Sequence, residues 1–192
     1  VSAAVPAPLP VLVVTMGVSG CGKSTLAAGL ATRFGLRLLD ADDFHPPANV
    51  VRMAGGEPLS DAMREPWIDA LCAALRLYRQ RGESCVLAFS GLRRAHRQRL
   101  RELDYPTLFL HLVGDQRVIR ARLQARTGHF ATAALLDSQL ATLERPIDEA
   151  DVAPIDVTSG CDPMHPQAIA AVQAFIAGAA SARAANGSTG PA

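Results

Sequence analysis

Aromatic side chains are scarce: one Trp, two Tyr and six Phe make up 5% of the 192 residues. A core must therefore be built from Ala, Leu, Val and Ile, and an apolar content of 49% is enough to build one. An excess of one charge is missing as well. Nineteen Lys and Arg stand against eighteen Asp and Glu, a net +1, which argues against a broad basic face for nucleic acid and confines any anion site to a local cluster. No apolar run reaches the roughly 18 to 20 residues that span a bilayer, and the opening VSAAVPAPLP has no basic segment leading into an apolar one. The expectation is a cytoplasmic protein with neither a membrane nor a nucleic acid as partner. The four cysteines, Cys21, Cys72, Cys85 and Cys161, include no CxxC pair, a spacing that suits reduced thiols better than a disulfide lattice or a zinc site. No repeat of fixed period is present.

What is present is an alternation of short apolar strands and amphipathic helices. Strand patterns fall at 11–15, 36–39, 85–89, 107–112 and 153–157, and helical patterns at 26–34, 68–81, 93–103, 115–126, 133–143 and 166–180. That order predicts an α/β fold of three layers, a central parallel sheet covered by helices on both faces. The length fits one domain, expected over 11–180 between flexible tails at 1–10 and 181–192. Pro and Gly crowd the stretch 45–67, which is expected to break into short helical pieces.

The sharpest local signal is Gly17-Val18-Ser19-Gly20-Cys21-Gly22-Lys23-Ser24, a complete GxxxxGK[ST] pattern between a strand and a helix. Glycines let the backbone approach a phosphate, the N–H groups of the loop cradle it, and the helix N-terminus adds a favourable field. Lys23 is expected on the β- and γ-phosphates and the Ser24 hydroxyl on Mg²⁺, with Thr25 supporting the helix start. Cys21 fills a variable position of the loop and is not read as a nucleophile.

Asp40 and Asp42 follow the second strand, at the sheet edge where ligands of open parallel sheets sit. Spaced two apart, one can organise hydrated Mg²⁺ while the other orients or deprotonates a hydroxyl, a division of labour that suits phosphoryl transfer to a small alcohol. His45 can contact an acceptor, cap a turn or fill a bend. Arg52 and Arg64 offer guanidinium forks to an anionic acceptor or to solvent, and Trp67 is assigned to packing. Ser90 and Gly91 follow a buried strand and face the same crevice. Arg93, Arg94, Arg97, Arg99 and Arg101 form a basic helix without interleaved aromatics, read as a solvated face with one or two acceptor contacts. A second basic helix with Arg120, Arg122 and Arg126 runs into Gly128, His129 and Phe130, a pattern that suits a closing lid.

These segments together, MGVSGCGKST at 16–25, LDADDFHPPANVVRM at 39–53, GEPLSDAMREPW at 56–67, SGLRRAHRQRLR at 90–101, ARTGHF at 125–130 and LLDSQLATLERP at 135–146, resemble the gluconokinase family of small P-loop kinases. The resemblance covers nearly everything between the tails. It implies an adenylate-kinase-like or shikimate-kinase-like fold, a substrate segment at about 44–80, a lid at about 122–135, ATP and Mg²⁺ as cofactors, a small sugar acid as substrate and a homodimer. It implies catalytic roles for Lys23, Asp42 and Arg126. The loop Gly17 to Thr25 (Val18, Ser19, Gly20, Cys21, Gly22, Lys23 and Ser24 between) binds nucleotide with Arg122 and Arg126, and Ser24 and Asp40 serve the metal, Asp40 through water. Asp42, His45, Arg52, Met53, Arg64, Ser90, Gly91, Arg93 and His129 are placed around the acceptor. The chain departs from the family at Met63, His96 and Gln98, where an acidic residue, tyrosine and aspartate are usual, and more mildly at Cys21, Ala41 and Arg93. The reading that follows is transfer of the γ-phosphoryl group of ATP to O6 of D-gluconate. Two alternatives stay open: a kinase for another sugar acid or a shikimate-like alcohol, and an ATP-binding regulatory or nucleic-acid-binding protein with weakened catalysis.

Overall fold

The computed structural model describes residues 10–55, 57–125 and 133–187. Its strands are β1 Leu12–Met16, β2 Arg37–Asp40, β3 Cys85–Phe89, β4 Thr107–Val113 and β5 Val152–Asp156. Its helices are α1 Lys23–Phe34, α2 Pro47–Ala54, α3 Asp61–Gln80, α4 Arg94–Arg101, α5 Gln116–Ala125, α6 Ala133–Thr142 and α7 Pro166–Gly187. The strands form one sheet in the order β2-β3-β1-β4-β5, with every neighbouring pair parallel.

β1 and β3 are buried along their whole length. Strands covered on both faces read as unbroken apolar runs rather than as alternations, which is why LVVTM and CVLAF carry no polar rhythm. Their side chains nevertheless divide by parity. Val13, Val86, Leu110 and Ile155 face one side and pack with Leu26 and Leu30 of α1, Ile119 of α5, Leu136 of α6 and Val172 of α7. Leu12, Val14, Leu87 and Phe109 face the other and meet Trp67, Ile68 and Leu71 of α3 and Leu100 of α4. Two aliphatic cores on opposite faces of one parallel sheet make the three-layer α/β architecture expected from the element order.

Three local expectations are corrected. The long helix begins at Asp61, not at 68, and runs through Pro66. Ser60 caps it by accepting the Met63 N–H at 3.3 Å, and Trp67, Ile68, Leu71, Cys72 and Leu75 bury one continuous stripe, so cap and burial outweigh the backbone bond that Pro66 cannot donate. The closing helix continues to Gly187, so the tail expected from 181 starts inside a helix; the tail at the other end, apart from Pro10, lies outside the described residues. Finally, α4 is not a wholly solvated basic face. The Arg97 side chain has 0% exposure and holds Glu149 through Nε at 2.9 Å and Nη2 at 2.5 Å, while its Nη1 donates to the Gly91 carbonyl at 2.6 Å.

Candidate active site

The C-terminal ends of β1, β2 and β3 open into one cleft of about 450 Å³, within the size range of small-ligand sites. Its floor is the phosphate loop. Gly17 leaves β1 with φ of +141° and donates its N–H to the Ser90 carbonyl at 3.1 Å; a Cβ there would stand 2.9 Å from the Leu112 carbonyl oxygen. Gly22 ends the loop with φ of +104°, and a Cβ on it would lie 2.4 Å from the Cys161 side chain. Both positions require glycine for conformation and for space. Gly22 is also the residue before α1, which has no side-chain cap and no acidic residue in its first turn, so the positive end of that helix is left for an anionic ligand. Lys23 Nζ lies over the loop at 3.2 Å from the Val18 carbonyl oxygen. Val18 and Cys21 turn their side chains into the core, which leaves only their backbone to serve a phosphate. Burial pushes the Cys21 thiol up from its ordinary pKa against the lowering effect of Lys23, so it is an unreactive packing thiol.

Ser24 and Asp40 meet at the end of β2. The Ser24 hydroxyl donates to Asp40 Oδ2 at 3.1 Å, while Asp40 Oδ1 accepts the Asp42 N–H at 3.1 Å and starts the 3₁₀ turn Ala41–Phe44. One carboxylate thus links the loop serine to the turn that presents Asp42, whose side chain is 84% exposed on the cleft.

The acceptor side is built on an aromatic stack. Trp67 is buried, as expected of a packing residue, and its Nε1 donates to the Ala41 carbonyl at 2.6 Å. His45 stacks on it with ring centroids 4.2 Å apart and an interplanar angle of 15°. The His45 side chain is only 4% exposed, and its Nδ1 is buried with no hydrogen-bond partner. Burial, and then the positive charge of Arg64, pull its pKa down to about 4. At neutral pH the ring is uncharged, so its Nε2, 3.9 Å from Asp42 Oδ1, makes no ion pair there. Arg64 lines the cleft with its guanidinium held by Asp61 at 2.8 Å.

The cleft brings together Ser19, Gly20, Lys23, Ser24, Asp40, Asp42, His45, Met53, Arg64 and Ser90. It leaves out several other expected residues. Arg52 is turned to Glu57, which itself lines the cleft, at 2.9 Å, and Arg93 bridges Asp61 at 3.5 Å and Glu144 at 3.3 Å, so neither guanidinium lines the cleft. Gly91 serves through its backbone, with φ of +59° under Met16 and its carbonyl held by Arg97. Arg122 donates to the Thr158 carbonyl at 3.1 Å beside the loop after β5. Arg126, His129 and the centre of the expected lid lie outside the described residues. On the lid side the cleft is walled instead by Leu123 of α5 and by Leu135, Ser138, Gln139 and Thr142 of α6. Gln139 is a site residue that the motifs did not reveal: its Oε1 accepts the Ser19 N–H of the phosphate loop at 2.6 Å. The available signal was a polar trio at 138, 139 and 142 spaced to share one side of the helix. A roomier hollow of about 740 Å³ lies at the opposite end of the sheet between Phe34, Arg37 and Ile176, and holds no group of the phosphate loop.

A family model described as an AAA domain matches residues 12–146, from β1 through α6 and into the segment beyond. A gluconokinase of Gluconobacter oxydans is 49% identical over 144 residues, covering 74% of this chain and 80% of that protein. The chain belongs to the gluconokinase family. Solved structures agree. A gluconokinase from Sinorhizobium meliloti superposes with a TM-score of 0.74 at 34% identity, covering 93% of this chain and 98% of its own. An unliganded sugar kinase from Janibacter gives 0.73 at 39% identity, covering 86% and 92%. Gluconokinase membership makes the chain an ATP-using kinase of the P-loop type, with the shikimate- and adenylate-kinase-like sheet that the strand order displays. No helix among the described residues is long and apolar enough to cross a membrane.

Proposed function

We propose that the protein transfers the γ-phosphoryl group of ATP directly to O6 of D-gluconate, giving 6-phospho-D-gluconate and ADP. The observation that carries this reading is the meeting, in one cleft, of the phosphate loop with Asp42, the buried neutral His45 and Arg64. The loop N–H groups and Lys23 bind the β- and γ-phosphates. Asp42, exposed at the mouth of the cleft, orients the acceptor hydroxyl and takes its proton as the oxygen attacks phosphorus and the bond to ADP breaks. His45, which lines the cleft and whose buried Nδ1 has no hydrogen-bond partner, can accept from or donate to a sugar hydroxyl according to its tautomer. Arg64 offers an N–H fork to the carboxylate of the sugar acid. Arg126 and His129 are assigned to the transferred phosphoryl group and the acceptor by the same reading, Arg122 to the nucleotide, and Arg52 and Arg93 to the outer charge around the acceptor.

Mg²⁺ fits the residues present. Ser24 Oγ and Asp40 Oδ2 are hard oxygen donors 3.1 Å apart, and no group of three or more His, Cys, Asp or Glu among the described residues could hold a metal. Two such oxygens suit an ion that takes its remaining ligands from substrate phosphates and water. When bound, it supplies charge neutralisation to the phosphates. A cytoplasmic homodimer without nucleic-acid partners belongs to the same reading; the last part is supported by Arg94, Arg97, Arg99 and Arg101, all of which are committed to carboxylates.

The test is incubation with ATP, Mg²⁺ and a panel of D-gluconate, related sugar acids, shikimate and nucleoside monophosphates, with products identified by mass spectrometry. Preferential formation of 6-phosphogluconate is the expected result. Another phosphorylated acceptor in its place would overturn the substrate assignment, and nucleotide binding without any phosphorylated product would favour a regulatory role.

A further inference from the structure

Phosphate loops bind through their own N–H groups, yet the Ser19 N–H is engaged by a side chain 120 positions away, Oε1 of Gln139 at 2.6 Å. The helix that carries Gln139 is held at its middle and just past its C-terminal end. Arg120 of α5 grips Asp137 at 2.5 Å. Just beyond α6, Glu144 donates its N–H to the Leu92 carbonyl at 2.9 Å and accepts the Arg94 N–H at 2.6 Å. Gln139 is therefore aimed at the loop by two tethers. One ties α6 to the lid-side helix and the other to the loop after β3, where Ser90 lines the cleft.

A carboxamide carries both an acceptor and two donors. With Oε1 committed to Ser19, Nε2 donates to no group among the described residues and stands in the cleft beside the loop. A hydrogen-bond donor is wanted there when nucleotide binds, because a donor fixed by packing and by a second hydrogen bond costs no reorganisation during the reaction. A carboxylate in the same place would also accept from Ser19 but would set a negative charge against the γ-phosphoryl oxygens, which ADP lacks.

We infer that Gln139 is a catalytic residue for the transfer: Oε1 fixes the first turn of the phosphate loop while Nε2 donates to an oxygen of the γ-phosphoryl group. The assignment rests on the kinase reading of the cleft but not on which acceptor fills it. It predicts a difference between nucleotides. Gln139→Glu, isosteric and able to keep the Ser19 bond, should bind ADP within about twofold of the wild type. It should bind a non-hydrolysable ATP analogue on the order of tenfold more weakly, the value of one charge-assisted hydrogen bond, and lose turnover on the order of 100-fold. Gln139→Met, which removes both polar atoms, should weaken ADP and the analogue together and lower turnover as well.

The measurements are calorimetric titrations of both nucleotides and steady-state kcat and KM on purified wild type and variants of equal melting temperature. Wild-type turnover with Gln139→Glu, or equal losses of ADP and analogue affinity in that variant, would overturn the inference and leave Gln139 as a loop brace. Should the wild type phosphorylate some acceptor other than gluconate, the substrate assignment falls while the ADP-against-analogue comparison still decides the role of Gln139.

Discussion

Asp42 and Asp40 are two residues apart and do different work because their surroundings differ. Asp40 is committed on both oxygens, to Ser24 and to the Asp42 N–H, whereas Asp42 projects into the cleft with 84% of its side chain exposed. Asp42→Asn should therefore lower kcat by about 100-fold or more, the usual worth of a general base, with ATP affinity held within about twofold; near-wild-type turnover would remove Asp42 from the chemistry. Gly22→Ala makes the opposite kind of change. With φ of +104° and Cys161 2.4 Å from where the methyl would be, the loop must distort, so nucleotide affinity should fall by more than tenfold, as read by calorimetry. Residue type and spacing are enough to propose these roles. The pairing of Arg52 with Glu57 is not, since a sequence shows that an arginine is present but not which carboxylate the chain will bring to it.

At the scale of elements, α4 is anchored rather than solvated. Arg97 and Arg101 converge on Glu149, and Arg101 also holds Asp151 at 2.7 Å, tying α4 to the segment that enters β5. The hydrogen bond from Arg97, and then that from Arg101, draw the Glu149 pKa down to about 2 against the opposing effect of burial. Arg97→Ala takes the closest cation from a buried carboxylate that keeps Arg101, leaves the Gly91 and Glu144 carbonyls without that donor, and empties a fully buried site, so it should destabilise the fold by about 3 to 5 kcal/mol in urea denaturation. Arg99, half-buried and paired with the exposed Asp69 at 2.5 Å, should cost about 1 kcal/mol or less on replacement by Ala. Sequence periodicity assigns all these arginines to one basic helix and has no means of separating them, because burial depends on what packs against each face. The start of α3 was missed for a related reason: Pro66 is a breaker by local rule, and only the stripe from Trp67 to Leu75 docking on the sheet overrides it.

For the whole molecule, acid sensitivity follows from groups on both sides of the sheet ends. His45, His96 and His111 are all held below the ordinary imidazole pKa, chiefly by burial, with Arg64 adding to the effect at the first two and Arg97 at the third. In each case the unfolded chain binds the proton more readily, so stability falls as pH drops through about 6.5 and continues to fall towards 4 for His45. Glu149 acts lower. Its contribution is complete above about 4.5 and is lost as pH falls towards 2. Thermal melts from pH 8 to 3 should therefore show a plateau above about 7 and a decline in two stages, and His45→Gln should flatten the first. A melting temperature that does not change between pH 7 and 5 would contradict the neutral state of these rings.

The sequence alone determined the class of the fold and the kind of chemistry. The βα alternation demands a covered parallel sheet, and the string from Gly17 to Ser24 demands a phosphate at a helix start, because both depend on backbone conformation and spacing within a few residues of each other. Only the tertiary structure decided which charges remain for a ligand. Asp42 and Arg64 line the cleft, Arg64 with its guanidinium oriented by Asp61, while Arg52, Arg93 and Arg97 are turned to Glu57, Glu144 and Glu149 and line none of it. It also decided that His45 is uncharged against Trp67 and that Gln139 reaches the loop at Ser19. Those outcomes rest on contacts between distant segments, and the distances that fix them exist only once the two cores have closed on the sheet.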